Sequence, residues 1–455
     1  MSLRNRFQSS HDTSTVVENL APRAKSSESQ SYRALRQSTH ATLLERVDLT
    51  AMERLPLAQR KDELRQTVGH VLSAENAMLN DAEHQAMVRD ILHEMLGFGP
   101  LELLMADPTV TDIMVNGHDR VFVERKGVLE ETGVCFNDNE HLMQIIEKIV
   151  SGAGRRLDES SPMVDARLPD GSRVNVIIPP LAIDGPMMSI RRFSVNPLTM
   201  TDFIAFQSLS EPMASLLEAA VRARLNIVIS GGTGGGKTTL LNIWSGYIGA
   251  TVRVVTIEDT AELRLQQPHV VRLESRPPNI EGKGEISQRA LVKNALRMRP
   301  DRIIMGEVRG SEAMDMLQAM NTGHDGSLAT LHANSPRDAL MRLENMISMA
   351  TSALPLKAIR QQITSAISIV IQIARMSDGR RRMVSVQEVT GMEGEIITMQ
   401  ESFTFRQTGI GADGTVLGHF QATGVRPRFC ERLQVRGINL AEGMFDPDRF
   451  CAINV

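Results

Sequence analysis

Cysteine is scarce: three residues, Cys135, Cys430 and Cys451, are scattered over 455 positions, with no CxxC pair and no histidine at metal-ligand spacing. That excludes a disulfide framework and a zinc site and points to a reducing compartment. Each cysteine reads as a small buried hydrophobe. Aromatics make up only 4% of the chain and the net charge is −4, so the basic stripe and stacking rings of a nucleic-acid motor are missing. No apolar run reaches the roughly 18 residues of a membrane span. The best candidate, Ile363 to Ile373, is short and is broken by Thr364, Ser365, Ser368 and Gln372. The N-terminus has no hydrophobic signal segment. These absences lead to the expectation of a soluble, cytoplasmic protein without a transmembrane segment and without direct nucleic-acid binding.

What is present is concentrated in one stretch, Gly231-Gly232-Thr233-Gly234-Gly235-Gly236-Lys237-Thr238-Thr239. It fits Gly-x-x-x-x-Gly-Lys-[Ser/Thr], the phosphate-cradling P-loop. Glycines admit positive φ and let successive N–H groups approach phosphate oxygens. Lys237 suits the β/γ-phosphates, and the Thr238 hydroxyl suits Mg²⁺. Chance would produce the pattern in a chain this long on the order of one time in a hundred. Asn226–Ser230 reads as a buried strand running in, and Thr239–Trp244 as a helix running out, which disfavours a flexible glycine linker. A nucleotide site is the expectation.

The remaining text sorts into segments. Residues 1–30 are polar and are expected to be disordered. Residues 31–80 show apolar positions at three- and four-residue steps (Leu43, Leu44, Val47; Leu64, Val68, Val71, Leu72), the pattern of a small helical bundle. Its outer face is a candidate docking surface for a localising partner. Residues 81–200 read as a small α/β domain with an antiparallel sheet. It carries strands at Asp112–Val115 and Val121–Arg125, a helix at Asn139–Ser151 and a hairpin turning at Pro169-Asp170-Gly171. Phe193–Ser210, with Pro197, reads as the linker. Residues 201–455 alternate strands (Asn226–Ser230, Arg253–Ile257, Val270–Leu273, Arg302–Met305, Ser327–Leu331) with helical text, which implies a parallel α/β sheet. Beyond Met383 the chain reads as added strands and a small cap.

Two strands end in carboxylates. Val254–Ile257 runs into Glu258, Asp259 and Glu262, and Arg302–Met305 runs into Gly306-Glu307. Hydrolysis of a nucleotide needs groups that orient water and hold Mg²⁺, and strand ends beside a P-loop are where they belong. Either cluster alone would be an ordinary solvated loop. Two of them downstream of a P-loop are not. His324 and His332 stand at opposite ends of one strand. They lack a third ligand for a metal, which leaves γ-phosphate sensing or local loop structuring. Arg155, Arg156, Arg167, Arg173, Arg191 and Arg192 cluster upstream, and Arg167 and Arg173 flank the hairpin. They read either as solvated surface or as arginine fingers that neutralise transition-state charge.

The order P-loop, Thr256-Ile-Glu258-Asp259-Thr-Ala-Glu262, Gly306-Glu307-Val-Arg309, then Thr322-Gly-His324 through His332-Ala, resembles the type II/type IV secretion ATPase superfamily. In that superfamily these segments are the Walker A motif, Asp box, Walker B motif and His box. The wording is most similar to the CpaF/TadA branch, the motors of tight-adherence (Tad/Flp) pili. Asp158–Arg173, Ser189-Ile-Arg191-Arg192-Phe and Ala295–Asp301 carry that likeness. The resemblance implies a RecA-like P-loop ATPase domain preceded by a PAS-like α/β domain. It further implies a cytoplasmic homo-hexamer, ATP and Mg²⁺ as cofactors, and inner-membrane platform proteins as partners. By position, Glu262 takes the role of activating water, Glu307 lies near Mg²⁺ and Glu258 supports the same site. His332, with His324, is the sensor, and Arg167 and Arg173 are the fingers. One departure stands out: position 235, serine in the pattern, is glycine here. The expected function is a pilus-assembly motor. The rivals are a traffic ATPase for protein secretion or conjugation and a nucleotide-dependent scaffold with little turnover.

Overall fold

The computed structural model describes residues 30–47, 52, 55–74, 79–125, 127–192, 198–276, 278, 283–351 and 353–453. The segment expected to be disordered, 1–30, lies outside the described residues except for Gln30. The chain divides into two compact units, Met1–Phe193 and Ser194–Val455.

The first unit opens with helices Gln30–Arg46, Leu57–Ala74 and Asp81–Leu96. They bury Leu43, Val68, Val71, Leu72, Met87, Val88 and Ile91 against one another. Asn80 starts the third helix through a capping box with Glu83, which satisfies two N–H groups the helix cannot. Lys148 closes its other end by donating to the carbonyls of Glu94, Met95 and Gly97 at 2.9, 3.0 and 2.7 Å. An antiparallel sheet follows, built from β1 (Val110–Asn116), β2 (Val121–Arg125), β3 (Val128–Glu131), β4 (Met163–Arg167), β5 (Arg173–Ile177) and β6 (Met187–Arg191). The spatial order is β3-β2-β1-β6-β5-β4. Alternation sends Ile113, Val115, Val123, Val174, Val176 and Ile190 inward against helix Asn139–Gly152, whose Leu142, Ile145, Ile146 and Ile149 are buried. The opposite face carries Asp112, Asp165, Arg173, Asn175, Ser189 and Arg191 around a shallow depression.

The second unit is a RecA-like α/β fold. Its strands are β7 (Ile227–Gly231), β8 (Val254–Glu258), β9 (Val270–Glu274), β10 (Arg302–Met305), β11 (Leu328–Leu331) and β12 (Ile369–Arg375). They lie in the order β12-β7-β11-β10-β8-β9, every neighbouring pair parallel. β7, β8, β10 and β11 are buried along their whole length. Continuous apolar runs of this kind belong to strands covered on both faces. β13 (Arg381–Glu393), β14 (Ile396–Ile410), β15 (Val416–Ala422) and β16 (Phe450–Ile453) extend the sheet antiparallel from β12. Buried Asn226 ties three elements together. Its side chain accepts from Gly326 N (2.8 Å) and Ser327 N (3.0 Å) and donates to Ala366 O (2.8 Å).

Two stretches carry more structure than their composition announces, and the expected burial of the cysteines needs correction. Most of the described part of the linker stretch is ordered: Thr199 caps a helix over Met200–Ala205, and Ser208, Leu209 and Ser210 are buried. The capping box with Asp202 and the burial of Phe203 outweigh the polar composition. Ile363–Ile373, read only as an apolar run, contains the end of helix Leu356–Ala366 and most of the central strand β12. Cys135 and Cys451 are exposed, and only Cys430 is buried.

Candidate active site

β7 delivers the chain into the glycine loop, and helix Lys237–Ser245 leaves it. Gly234 and Gly236 sit at φ +68° and +94°, a region that penalises any residue with a β-carbon by about 1–2 kcal/mol. A β-carbon at Gly231 would stand 2.4 Å from Ile373 O of the neighbouring strand, so no side chain fits there. Gly235 differs. Its φ is not left-handed, and its N–H donates to Gly232 O at 3.2 Å. Gly232 and Thr233 are exposed, while Thr238 and Thr239 are half-buried at the first turn of the helix. Loop amides converging on a helix N-terminus form an anion site.

Parallel strands place their C-terminal ends together, and Lys237, Glu258, Glu307 and His332 collect there. Lys237 Nζ donates to Gly231 O and Gly232 O, each at 2.9 Å, and lies 3.4 Å from His332 Nε2. Burial pushes the Lys237 pKa down, and the nearby Glu307 opposes this. His332, just past β11, holds Nε2 at 3.2 Å from Glu307 Oε1. Burial and the neighbouring Lys237 lower its pKa. Glu307 also accepts a two-pronged bond from Arg309, with Nε at 2.6 Å and Nη2 at 2.8 Å. Burial alone would raise the Glu307 pKa, but Arg309, His332 and Lys237 together hold it below the ordinary carboxylate value.

Glu258 is different in kind. It is 3% exposed, and its Oε2 accepts from Glu262 N at 2.7 Å and Leu263 N at 2.9 Å. It therefore fixes the backbone from which the Glu262 side chain projects. Burial raises its pKa to about 7, against the two backbone bonds that lower it. Among the described residues, Glu258 Oε1 and Thr256 Oγ1 are buried without a hydrogen-bond partner. Gly306 has no room for a side chain, because a β-carbon would stand 2.7 Å from Glu258 Cγ. Asn242, on the P-loop helix, accepts from Arg264 N at 2.9 Å and so joins that helix to the Glu262 loop.

His324 does not join this cluster. Its Nδ1 lies 3.2 Å from Ala319 O, before the start of β11. A four-residue strand separates the two histidines by roughly 13 Å. Arg167 and Arg173 stand directly opposite each other on β4 and β5, and Arg173 Nη2 reaches Asp165 Oδ1 at 3.3 Å. Both belong to the first unit, whereas the cluster above is built wholly from residues of the second. Two residues at the site carried no expectation. Arg309 follows Glu307 by two positions and was readable within its motif. Arg381 Nε donates to Gly234 O at 2.7 Å across 147 positions, and no local pattern announces it.

The residues present fit a polyphosphate and a hard cation. Left-handed glycines, a helix N-terminus and the Lys237 ammonium make an anion cradle, and the Thr238 hydroxyl and Glu307 carboxylate are oxygen donors suited to Mg²⁺. Among the described residues no three His, Cys, Asp or Glu side chains converge as a metal cage. Mg²⁺ commonly completes its shell from phosphate and water.

The family model described as "Type II/IV secretion system protein" matches residues 94–415. A Mycobacterium tuberculosis protein named for conjugal transfer is 37% identical over 325 residues, covering 70% of this chain and 92% of the relative. The conjugal transfer protein TrbB of Rhizobium radiobacter is 34% identical over 317 residues, covering 68% and 92%. Among solved structures, the VirB11 ATPase of the Brucella suis type IV secretion system aligns at 28% identity. That alignment covers 63% of this chain and 94% of that one, with a TM-score of 0.34.

Proposed function

Because the chain belongs to the type II/IV secretion system protein family, we propose that it is a traffic ATPase, hydrolysing ATP to drive transfer through a secretion or conjugation machine. One observation carries the reading: Lys237, His332, Glu307 and the Glu258-held loop of Glu262 meet at the C-terminal end of one parallel sheet. In this reading the loop amides and Lys237 bind the phosphates, and Thr238 and Glu307 hold Mg²⁺, which supplies charge neutralisation when bound. Glu262 orients and deprotonates the attacking water. His332 touches both Lys237 and Glu307 and senses occupancy of the site. Arg167 and Arg173 are proposed as the charges that stabilise the transferred phosphoryl group.

Relatives named for conjugal transfer favour the traffic role over pilus assembly. The tight-adherence reading stays as a second proposal because of the Asp158–Arg173 and Ser189–Phe193 wording. A homo-hexamer working at an inner-membrane platform from the cytoplasmic side belongs to both. Among the described residues no helix is long and apolar enough to cross a membrane.

Lys237→Ala tests both levels. Purified protein should lose phosphate release by at least about a hundredfold. In the host, loss of conjugal or secreted cargo with pili intact supports the traffic role. Loss of pili with transfer intact supports the second proposal, and unimpaired phosphate release refutes both.

A further inference from the structure

The phosphate loop is strapped from outside. Arg381, at the start of β13, donates from Nε to Gly234 O at 2.7 Å. Its aliphatic stem lies against Gly236, where a β-carbon would stand 3.2 Å from Arg381 Cδ. The base of this strap is rigid. The next residue, Arg382, is fully buried and pairs with Asp378 Oδ2 at 3.2 Å, with its guanidinium 5.2 Å from the centre of the Phe405 ring. Asp378 in turn accepts from Arg380 N at 3.0 Å and Val416 N at 3.1 Å, so the β12–β13 turn is tied to β15.

The strapped segment has unusual freedom. Gly234, Gly235 and Gly236 follow one another, and glycine loses more conformational entropy on ordering than any other residue. A loop that cradles phosphate must turn its N–H groups inward and hence its carbonyls outward. A peptide flip in a triple-glycine run would aim a carbonyl at the anion. Position 235 alone of the three lacks a left-handed φ. A β-carbon there would stand 3.1 Å from Gly232 O and 3.7 Å from Ile373 O, a tight fit that a shift of a few tenths of an ångström relieves. A side chain at 235 would therefore stiffen the loop, and glycine forgoes that stiffness.

We propose that Arg381 is a positioning residue for the phosphate loop: its charged bond to Gly234 O holds that carbonyl outward and supplies the rigidity that glycine at 235 gives up. The ligand it prepares the loop for is a polyphosphate, so the inference rests on the nucleotide-binding reading above. Arg381 acts through the loop and makes no contact with the nucleoside. Charged hydrogen bonds are stronger than neutral ones, and the solvent exposure of Arg381 reduces the effect.

The test compares dissociation constants of ADP and inorganic pyrophosphate, by calorimetry on the full chain, for wild type, R381A, R381K, G235S and R381A/G235S. R381A should weaken both ligands by the same factor, roughly three- to tenfold, while thermal unfolding of the unliganded protein stays unmoved. R381K keeps a donor and should recover part of the loss, and it serves if R381A folds poorly. Whatever G235S does to affinity on its own, it should restore most of the R381A loss in the double variant, a coupling that independent sites do not show. The inference is overturned if R381A binds both ligands normally. A loss confined to ADP also overturns it, since that marks a nucleoside contact, as does simple addition of the two penalties in the double variant. If wild type binds neither ligand, the nucleotide reading fails and takes this inference with it.

Discussion

Glu258→Gln separates a buried neutral carboxyl from an ordinary ionised one. In the native chain Glu258 has its pKa raised from 4.5 to about 7, chiefly by burial. A raised pKa means that folding favours the protonated form. Its contribution to stability is complete below pH 4.5 and is lost as pH rises through 7. The full shift corresponds to about 3 kcal/mol, and the portion between pH 5.5 and 8 to about 2 kcal/mol. Glutamine keeps a carbonyl oxygen for Glu262 N and Leu263 N and never ionises. Its amide nitrogen takes the place of Oε1, which has no partner, and that costs about 1–3 kcal/mol at every pH. The offset between the two proteins is therefore free, but the slope is fixed. Relative to wild type, E258Q should gain about 2 kcal/mol between pH 5.5 and 8 and nothing further above. For a unit of this size that is a gain of roughly 4–8 °C in unfolding temperature. Nucleotide-free thermal unfolding at half-unit pH steps measures it. Parallel curves for the two proteins, or a difference that shrinks with pH, would refute the assignment of a neutral Glu258.

Two further substitutions probe the same sheet end. His332→Ala should lower steady-state phosphate release roughly ten- to a hundredfold. His324→Ala should leave release within about twofold while costing about 1 kcal/mol of stability through its lost contact with Ala319 O; equal kinetic losses in the two variants would contradict the placement. Gly306→Ala forces a methyl to within 2.7 Å of Glu258 Cγ. It should destabilise by about 1–3 kcal/mol and slow turnover through the displaced Glu262 loop, and a fully active G306A protein would show that Glu258 does not hold that loop.

The parts of the site legible in sequence are those where local pattern and chemistry coincide. Short apolar runs ending in Gly231, Glu258 and Glu307 signal buried parallel strands whose C-terminal ends carry function. β12 escaped notice because Ser368 and Gln372 interrupt its apolar text. Gln372 is tolerated there because its Nε2 reaches Ala333 O at 3.1 Å, a partner 39 positions away that no window reveals. Arg381 is hidden for the same reason, since its partner is set by the pairing of β12 with β13 and β7. His324 shares with His332 one strand, at its opposite end, and the sensor role that the resemblance implies, with local loop structuring as the alternative reading. The strand length that separates it from His332 was readable, but its consequence depends on which strand ends share the loop. The helix after Thr199 is the opposite case, since its capping pair, Thr199 and Asp202, lies three residues apart and is legible in the local sequence.

Two carboxylates close to the loop are driven in opposite directions, and this division constrains the chemistry. Glu307 is drawn down by Arg309, His332 and Lys237 against the effect of burial, so it is ionised at neutral pH and available to a cation. Glu258 is pushed up by burial to about 7 and spends one oxygen on two backbone amides. A group so held cannot leave to ligate a metal without releasing the Glu262 loop. Environments that split the protonation of neighbouring acids assign them different tasks. In the proposed mechanism the ionised Glu307 faces the cation, and Glu258, with its pKa near 7, holds the Glu262 loop in place. Exchanging Glu258 for Asp, which shortens the reach, should therefore impair turnover while leaving Mg²⁺-dependent nucleotide affinity nearly intact. Exchanging Glu307 for Gln should reduce that metal dependence directly.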